Sequence, residues 1–268
     1  MKTVLLISSC DAFHDCWGPM LYSLEKFWPN CPFPVCVINN YEKINSSQVS
    51  VINVGKDQLF ASNLKLALSK LDCEYLIYFQ DDYFLSEYVN TEAIHRHISH
   101  CIEENVDFLK IHTNDFLLRD HLRVGDSNYC KNPVDVRYSL NTSVAVWRKS
   151  LLEKLCVDGY SGWDWERKII PFIHMNRINI NSEILHSSIM DSEGITTVSG
   201  GAVAKGRWTR NGMKFLLNNG FDDLLHKRSV EGRFITKLAT FYNRHPRSIF
   251  RYPIVMIMRT FLKFKINI

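Results

Sequence analysis

Two adjacent carboxylates follow directly on an apolar run in the first half of the chain. The run YLIYF, residues 75–79, is followed by Gln80, Asp81 and Asp82. If the run is a buried strand, neighbouring carboxylates at its end lose hydration and repel each other, and a bound divalent cation would offset both effects. The alternative is a solvated turn, in which Asp is a favoured residue. The pair is the first candidate for chemistry in this sequence.

A second cluster combines aromatic rings with carboxylates in the consecutive residues Trp163, Asp164, Trp165 and Glu166. Sugars offer C–H faces that stack on aromatic rings and hydroxyls that bond to carboxylates, so this composition suits a saccharide site. A carboxylate beside a hydroxyl can also remove its proton. The competing interpretation is the start of an amphipathic helix, where the helix dipole favours acids.

A third segment, VSGGAVAKGRW at residues 198–208, combines glycines with two cations. Glycine allows unusual backbone conformations, and Lys205 and Arg207 supply positive charge, so the segment suits a loop that closes over an anionic diphosphate. An ordinary surface hairpin explains the same residues.

Hydrophobic periodicity predicts the elements that position these residues. Continuous apolar runs predict strands at residues 3–9, 34–38, 49–54, 75–79, 108–111 and 143–147. Apolar residues three and four positions apart predict helices at 18–28, 60–71, 91–104, 149–155 and 166–173. Ser62 is expected to cap the second helix. Strands that alternate with helices at this spacing predict an α/β fold.

The composition and the missing motifs exclude several classes of protein. With 268 residues, 46% of them hydrophobic, the chain can form one large domain with a full core. Its eight cysteines include no Cys-x-x-Cys pair, which favours buried thiols in a reducing compartment over a zinc ribbon or a redox motif. Dinucleotide-binding, Walker and Gly-x-Ser-x-Gly motifs do not occur, which argues against dinucleotide oxidoreductases, P-loop kinases and serine hydrolases.

Two further segments have simple interpretations. The first residues contain too short an apolar run for a signal peptide and are expected to form a strand. His95, His97 and His100 share a predicted helix without an evident fourth ligand, so we expect an exposed helix rather than a zinc site.

The end of the chain is strongly basic. From His226 to Ile268 there are ten Lys or Arg and one acid, a net charge of +9, against +4 for the whole chain. The longest uncharged stretch there, residues 252–258, is far below the roughly 20 residues that span a bilayer. Two interpretations stay open: a peripheral helix on an anionic membrane, or a segment packed back onto the domain. No nucleic acid partner is expected, because the apolar content is high for a phosphate-binding arm.

Taken together, these residues resemble the GT-A glycosyltransferases. In that family a short acidic motif, usually Asp-x-Asp, ends a strand of a Rossmann-like sheet and holds manganese or magnesium on the diphosphate of a nucleotide sugar. Gln80-Asp81-Asp82 stands at that motif, after a strand and the helix ASNLKLALSKL. The segments SLNTSVAVWRKSLLEKL and GYSGWDWERKI resemble the part of bacterial sugar transferases beside the acceptor. Gln80 departs from the family, in which many members have an acid there.

The resemblance implies a role for each matching residue. It makes Asp82 the ligand of Mn²⁺ or Mg²⁺, assisted by Asp81, and makes Glu166 the base, with Asp164 as the alternative. The residues expected to contact the nucleotide sugar are Ser8, Ser9, Asp11, Asn39, Asn63, Lys65, Gln80, Asp81, Lys205 and Arg207. The acceptor sugar is expected to stack on Trp163 and Trp165.

The implied fold is a GT-A (Rossmann-like) mixed sheet flanked by helices over residues 1–225, followed by a basic amphipathic helical extension over 226–268. The implied reaction is an inverting, metal-assisted transfer from a nucleotide sugar, expected to be a UDP-sugar. The acceptor would be a hydroxyl of a saccharide, lipid-linked if the extension binds membrane, in the synthesis of a bacterial surface glycan such as capsule or lipopolysaccharide. The expected location is cytoplasmic, at the inner face of the membrane in that case.

Two alternative functions fit the same fold. A sugar nucleotidyltransferase shares the sheet and the acidic motif, but it normally has a Gly-rich loop where this chain has SSCDAFHDCW, residues 8–17. A carbohydrate-binding protein without catalytic activity is the other alternative.

Overall fold

The structure is a computed structural model that describes residues 2–113, 128–135 and 138–232. The predicted extension lies outside the described residues from residue 233 onward, and the predicted domain boundary at residue 225 stays a prediction. The described residues belong to two compact units, one ending at Thr197 and the other beginning at Val198.

The first unit is built on one eight-stranded sheet. Its strands are β1 (Thr3–Ser8), β2 (Val35–Asn39), β3 (Ser50–Asn53), β4 (Tyr75–Gln80), β5 (Phe108–Lys110), β6 (Tyr129–Lys131), β7 (Ala145–Arg148) and β8 (Ser182–Leu185). They lie in the order β3-β2-β1-β4-β7-β5-β8-β6. Strands β6 and β7 run antiparallel to their neighbours, and the other six run parallel to one another. The predicted α/β fold with a mixed sheet is confirmed.

Helices cover both faces of this sheet. They are α1 (His14–Phe27), α2 (Phe60–Ser69), α3 (Thr91–Glu103), α4 (Lys149–Leu155), α5 (Gly162–Met175) and α6 (Ser187–Glu193). Leu6 and Leu76 share a core cluster with apolar residues of α2, α4 and α5. On the opposite face the Tyr75 hydroxyl donates to the carbonyl of Cys101 in α3 at 2.8 Å. Coverage of both faces explains why β1 and β4 are continuous apolar runs without alternation.

The helix starts differ from the predicted ones. Helix α1 begins at His14 instead of residue 18 and continues through Pro19, whose side chain is buried. Helix α5 begins at Gly162 instead of residue 166, with Ser161 as its cap. The expected cap of α2 is wrong, because Ser62 lies inside the helix and its hydroxyl accepts from the backbone N–H of Gly159 at 3.1 Å.

One face of α3 is buried, contrary to the exposed helix that the sequence predicts. The His97 side chain is 0% exposed, with Nδ1 at 3.0 Å from the Tyr129 hydroxyl and Nε2 at 3.1 Å from the Glu193 carbonyl. His100 lies one turn further on, and its Nε2 is 2.6 Å from Glu183. The histidines therefore join α3 to the sheet.

A group of polar side chains joins the strands at the amino end of β4. Arg148 donates from Nε to Asp107 at 2.8 Å and from Nη2 to Asn105 at 2.7 Å, and its guanidinium lies 4.9 Å from the centre of the Tyr75 ring. We call this edge of the sheet, where β4 and β5 begin and β7 ends, the Arg148 edge.

The second unit contains a two-stranded hairpin and a helix: β9 (Val203–Ala204), β10 (Arg207–Trp208) and α7 (Arg210–Asn218). The turn residues Lys205 and Gly206 both have positive φ, 52° and 73°, as a type I′ turn requires. Thr209 caps α7 by accepting from the backbone N–H of Gly212 at 2.9 Å. In neither unit does a described helix combine the length and the apolar character needed to cross a membrane.

Candidate functional site

The carboxyl ends of six parallel strands meet at one edge of the sheet, opposite the Arg148 edge, and β7 begins there. Ser8 at the end of β1 pairs with Gln80 at the end of β4. In the antiparallel pair of β4 and β7, Tyr78 lies opposite Ala145, so Asp81, just after β4, and Thr142, before β7, lie at the same end of the two strands. Ligands of open α/β sheets bind beyond the carboxyl ends of the strands. This edge is the candidate site.

Both aspartates of the acidic motif are nearly buried there, with 6% of Asp81 and 8% of Asp82 exposed. The Ser9 hydroxyl donates to Oδ2 of Asp81 at 2.5 Å, and the indole N–H of Trp17 donates to the same hydroxyl at 2.7 Å. This chain of hydrogen bonds from α1 fixes the orientation of the Asp81 carboxylate. Ser9, predicted to contact the nucleotide, lies beside the acidic motif and bonds to it.

The acidic motif alone supplies only some of the ligands that a magnesium-class cation needs. Among residues 2–113, 128–135 and 138–232, no group of three or more His, Cys, Asp or Glu side chains is arranged to hold a metal ion. Mg²⁺ typically uses one or two carboxylates and completes its octahedron with substrate phosphates and water. Asp82 and Asp81 match that donor set, provided that a bound diphosphate supplies the other ligands.

Asp11 organises the loop that follows β2. Its carboxylate accepts the backbone N–H groups of Asn40 and Tyr41 at 3.0 Å, and its own N–H donates to the Asn40 side chain at 3.1 Å. The neighbouring Asn39 is fully buried and accepts from Asn53 at 2.8 Å. Both residues lie at the candidate site, and contact of either with a nucleotide stays a prediction.

The two predicted residues of α2 have different surroundings. Asn63 is nearly buried, accepts the backbone N–H of Gln58 at 3.0 Å and donates to Asp57 at 2.7 Å, so it holds the loop before α2. Lys65 is exposed and forms an ion pair with Asp158 at 3.2 Å. These contacts give both side chains a structural role, and nucleotide binding by them stays a prediction.

Glu166 is held at the candidate site by a residue that the sequence analysis did not select. Its Oε1 accepts the backbone N–H of Thr142 at 3.1 Å and the Thr142 hydroxyl at 2.7 Å. Since Thr142 precedes β7 at the end of the sheet where β4 stops, this contact places the Glu166 carboxylate at the edge where the acidic motif lies.

Asp164 is engaged within its own helix. Its carboxylate accepts from the Ser161 hydroxyl at 2.7 Å and forms ion pairs with Lys168 and Arg167, both at 3.1 Å. The hydrogen bond from Ser161 and the bonds from Lys168 and Arg167 lower the pKa of Asp164 to about 2. A carboxylate with so low a pKa is a weak proton acceptor at neutral pH, which argues against Asp164 as the base.

The two tryptophans of the cluster lie in opposite environments. Trp163 is 59% exposed and offers a face to a ligand. Trp165 is 1% exposed, donates its indole N–H to the Leu155 carbonyl at 2.9 Å and packs edge-on against Phe60 and Trp147. The expectation that Trp165 stacks on the acceptor is therefore wrong, because both its faces and its N–H belong to the core.

The two predicted cations lie in the second unit. Lys205 is the first residue of the type I′ turn, and Arg207 begins β10, where it pairs with Ala204. The interpretation of this segment as a hairpin is confirmed. Contact of Lys205 or Arg207 with a diphosphate stays a prediction.

Sequence reasoning missed three side chains at the candidate site. Trp17 acts through Ser9, Thr142 holds Glu166, and His112 packs against Tyr83 with 5.2 Å between the ring centres while its Nε2 lies 2.8 Å from the Thr197 hydroxyl. The available signal for Thr142 was its place in the polar triplet Asn-Thr-Ser just before an apolar strand.

Comparison with known proteins finds solved structures that resemble this chain at low similarity. No protein-family model matches the chain, and no curated protein matches it. It is similar to S. aureus TarS 1–349 in complex with UDP-GlcNAc, at 16% identity and a TM-score of 0.49, over 74% of this chain and 58% of that one. It thus spans less than two thirds of that structure.

A second solved structure with a comparable likeness is a cytidylyltransferase from Leptospira borgpetersenii serovar Hardjo-bovis, at 15% identity and a TM-score of 0.44, over 87% of this chain and all of that one. The bifunctional IspDF from Campylobacter jejuni follows at 14% identity and a TM-score of 0.39, over 69% of this chain and 50% of that one. With every TM-score below 0.5, these likenesses assign neither a family nor an activity. The function is therefore argued from the residues of this chain.

Proposed function

We propose that the protein is a GT-A glycosyltransferase that transfers a sugar from a UDP-sugar to a hydroxyl of a saccharide acceptor in the synthesis of a bacterial surface glycan. The observation that carries this proposal is that the acidic motif after β4 and the Glu166 carboxylate lie at the same edge of the sheet. Asp81 and Asp82 are nearly buried at the end of β4, and Glu166 is bonded to Thr142, which precedes β7 at the same end of the sheet. The acidic motif suits the departing diphosphate, and Glu166 suits the acceptor hydroxyl.

In this proposal each carboxylate has one task. Asp82, assisted by Asp81, would hold a cation, which would supply positive charge to the departing diphosphate. Glu166 accepts the proton of the acceptor hydroxyl as that oxygen bonds to the anomeric carbon. The bond from that carbon to the diphosphate oxygen breaks, and its electron pair leaves with UDP. A single displacement of this kind inverts the anomeric configuration.

The remaining predicted residues position the two substrates. Ser8, Gln80 and the loop held by Asp11 line the edge at which the nucleotide is proposed to bind. Exposed Trp163 offers an aromatic face to the acceptor sugar. Lys205 and Arg207 are proposed to neutralise the diphosphate.

The test is the identity of the released product. Full-length protein would be incubated with manganese, oligosaccharide acceptors and a panel of UDP-glucose, UDP-galactose and UDP-GlcNAc, and in parallel with UTP and glucose 1-phosphate. We expect UDP release in the first set, lost in Asp82→Asn. Pyrophosphate release in the second set would instead indicate a nucleotidyltransferase. Saccharide binding without release in either set would contradict an enzymatic function.

For residues 226–268 we propose contact with an anionic membrane, because a net charge of +9 is combined there with aromatic and branched apolar residues. Sedimentation with vesicles that contain phosphatidylglycerol should pull down the full chain, and deletion of residues 246–268 should abolish this. Vesicles of phosphatidylcholine alone are the control. Equal sedimentation with and without the segment would contradict the proposal. The proposed peripheral membrane location and lipid-linked acceptor depend on the same membrane contact.

A further inference from the structure

Thr142 makes two hydrogen bonds to one oxygen of Glu166. Its backbone N–H donates to Oε1 at 3.1 Å, and its hydroxyl donates to the same atom at 2.7 Å. Thr142 is 7% exposed, so water competes little for these bonds. Hydrogen bonds to an ionised group are among the stronger ones in proteins.

The loop before β7 is itself braced on both sides of Thr142. Asn141 accepts from the backbone N–H of Ser143 at 3.2 Å and from the Ser143 hydroxyl at 2.5 Å. The following Val144 and Ala145 are fully buried. A braced segment next to a central strand is a rigid support, so it can fix the orientation of a side chain from another element.

The contact also leaves the two oxygens of Glu166 unequal. Oε1 receives both bonds from Thr142, whereas Oε2 accepts no hydrogen bond from any residue in the described part of the chain. With Oε1 fixed, the direction of Oε2 is fixed as well. A base acts efficiently when it is held within hydrogen-bond reach of the proton that it removes.

We propose that Thr142 is a positioning residue for this reaction: it orients Glu166 so that Oε2 receives the proton of the acceptor hydroxyl. The inference rests on the proposed function, because it requires Glu166 to be the base. Thr142 itself touches neither the proton nor the sugar, and acts only through Glu166.

The test separates kcat from KM in Thr142→Val and Thr142→Ser. The assay is UDP release with the UDP-sugar of the panel above that turns over fastest. Valine keeps the shape of threonine and removes the hydroxyl, so kcat should fall about 10- to 100-fold, while KM for the UDP-sugar should change less than about twofold. Serine restores the hydroxyl and should restore kcat. A KM increase with kcat unchanged would overturn the inference.

Two further variants distinguish positioning from a merely structural role. In a Glu166→Gln background, Thr142→Val should lower the residual rate less than about twofold, because it has no base left to orient. Thr3→Val, the same substitution at the start of β1 and so at the opposite end of the sheet, should leave kcat near the wild-type value. If Thr142→Val fails to fold in a thermal unfolding assay, Thr142→Ala provides the same comparison.

The outcomes also separate this inference from the proposed function. Wild-type kcat in Thr142→Val, with Glu166→Gln inactive, would overturn the positioning role and leave the base role standing. Wild-type kcat in Glu166→Gln, or absence of UDP release in the wild-type protein, would overturn both. An equal loss from Thr142→Val in both backgrounds would show that the loop matters for another reason.

Discussion

Glu166 and Asp164 stand two positions apart in α5, and a helix with 3.6 residues per turn sends such side chains in nearly opposite directions. Asp164 consequently turns to Ser161 and Lys168 in its own first turns, and Glu166 turns to Thr142 in another loop. Residue types alone leave the two acids equivalent. Their partners hold Asp164 within the first turns of its own helix and make Glu166 a base candidate.

This difference predicts unequal effects of removing each charge. Glu166→Gln should lower kcat for UDP release by about 100- to 10,000-fold, the range typical of a lost general base, while thermal unfolding stays near the wild-type temperature. Asp164→Asn is the matched control and should keep kcat within a few fold. A larger loss in Asp164→Asn than in Glu166→Gln would assign the base role to Asp164.

The same helix geometry explains why the sequence did not separate Trp163 from Trp165. Both indoles suit a sugar site by composition, and only the phase of α5 against the core decides which one is exposed. That phase depends on Ile169, Ile170 and Ile173, which are buried on the side of Trp165. Because α5 starts four residues before the predicted helix, the pattern within residues 166–173 did not reveal the role of Trp165.

At the scale of elements, the charge of Lys205 can be removed without changing the turn conformation of the hairpin in the second unit. Lys205 has φ of 52°, a conformation that Asn adopts readily in type I′ turns. Lys205→Asn should therefore preserve the fold and lower kcat/KM for the UDP-sugar about 10- to 100-fold if the ammonium group contacts the diphosphate. Lys214→Asn, at an exposed position of α7, is the control. Equal kcat/KM in both variants would remove Lys205 from the site.

The contact of α7 with the residue before the hairpin is too close for a side chain. A Cβ atom at Gly212 would lie 2.3 Å from the Ala202 carbonyl oxygen, so Gly212→Ala must displace the helix. We expect the free energy of unfolding of the second unit to fall by about 1–3 kcal/mol, measured by urea unfolding. Gly232→Ala, with open space around the added atom, should be nearly neutral. Equal stability of the two variants would contradict this packing.

The sequence predicts the elements that are buried along their whole length. It does not predict those whose presence or bounds depend on tertiary contacts. The runs of β1 and β4 are buried on both faces, and their apolar sequences predict them. Strands β6 and β8 are short and carry polar residues such as Lys131 and Glu183, which pair with each other at 2.7 Å across the sheet. A helical pattern that crosses a proline, as in α1, is stabilised by the buried side chains around Pro19 rather than by local preference.

At the scale of the whole molecule, the burial of His97 predicts that the free energy of unfolding decreases at acid pH. Burial lowers the pKa of His97 below its ordinary value of 6.5. The unfolded chain therefore binds a proton more readily, so the stability is complete above about pH 6.5 and falls below it, by at most about 1.4 kcal/mol per pH unit. Urea unfolding between pH 5 and pH 8 measures this slope.

The control for the pH dependence of the free energy of unfolding is a substitution at a second histidine of α3. His97→Gln should flatten the dependence on pH between 5 and 6.5, whereas His95→Gln, on the exposed side of the helix, should leave it unchanged. A slope that survives in His97→Gln would assign the acid sensitivity to other groups.

The Arg148 edge lies at the far side of the sheet from the candidate site, and its strands are joined by their own polar contacts. Next to it, the Asp72 side chain is 99% exposed and makes one long ion pair with Lys2 at 3.5 Å. A cysteine introduced there by Asp72→Cys would give an attachment point for biotin or a fluorophore. The protein could then be immobilised on a sensor chip through a point at the end of the sheet opposite the candidate site.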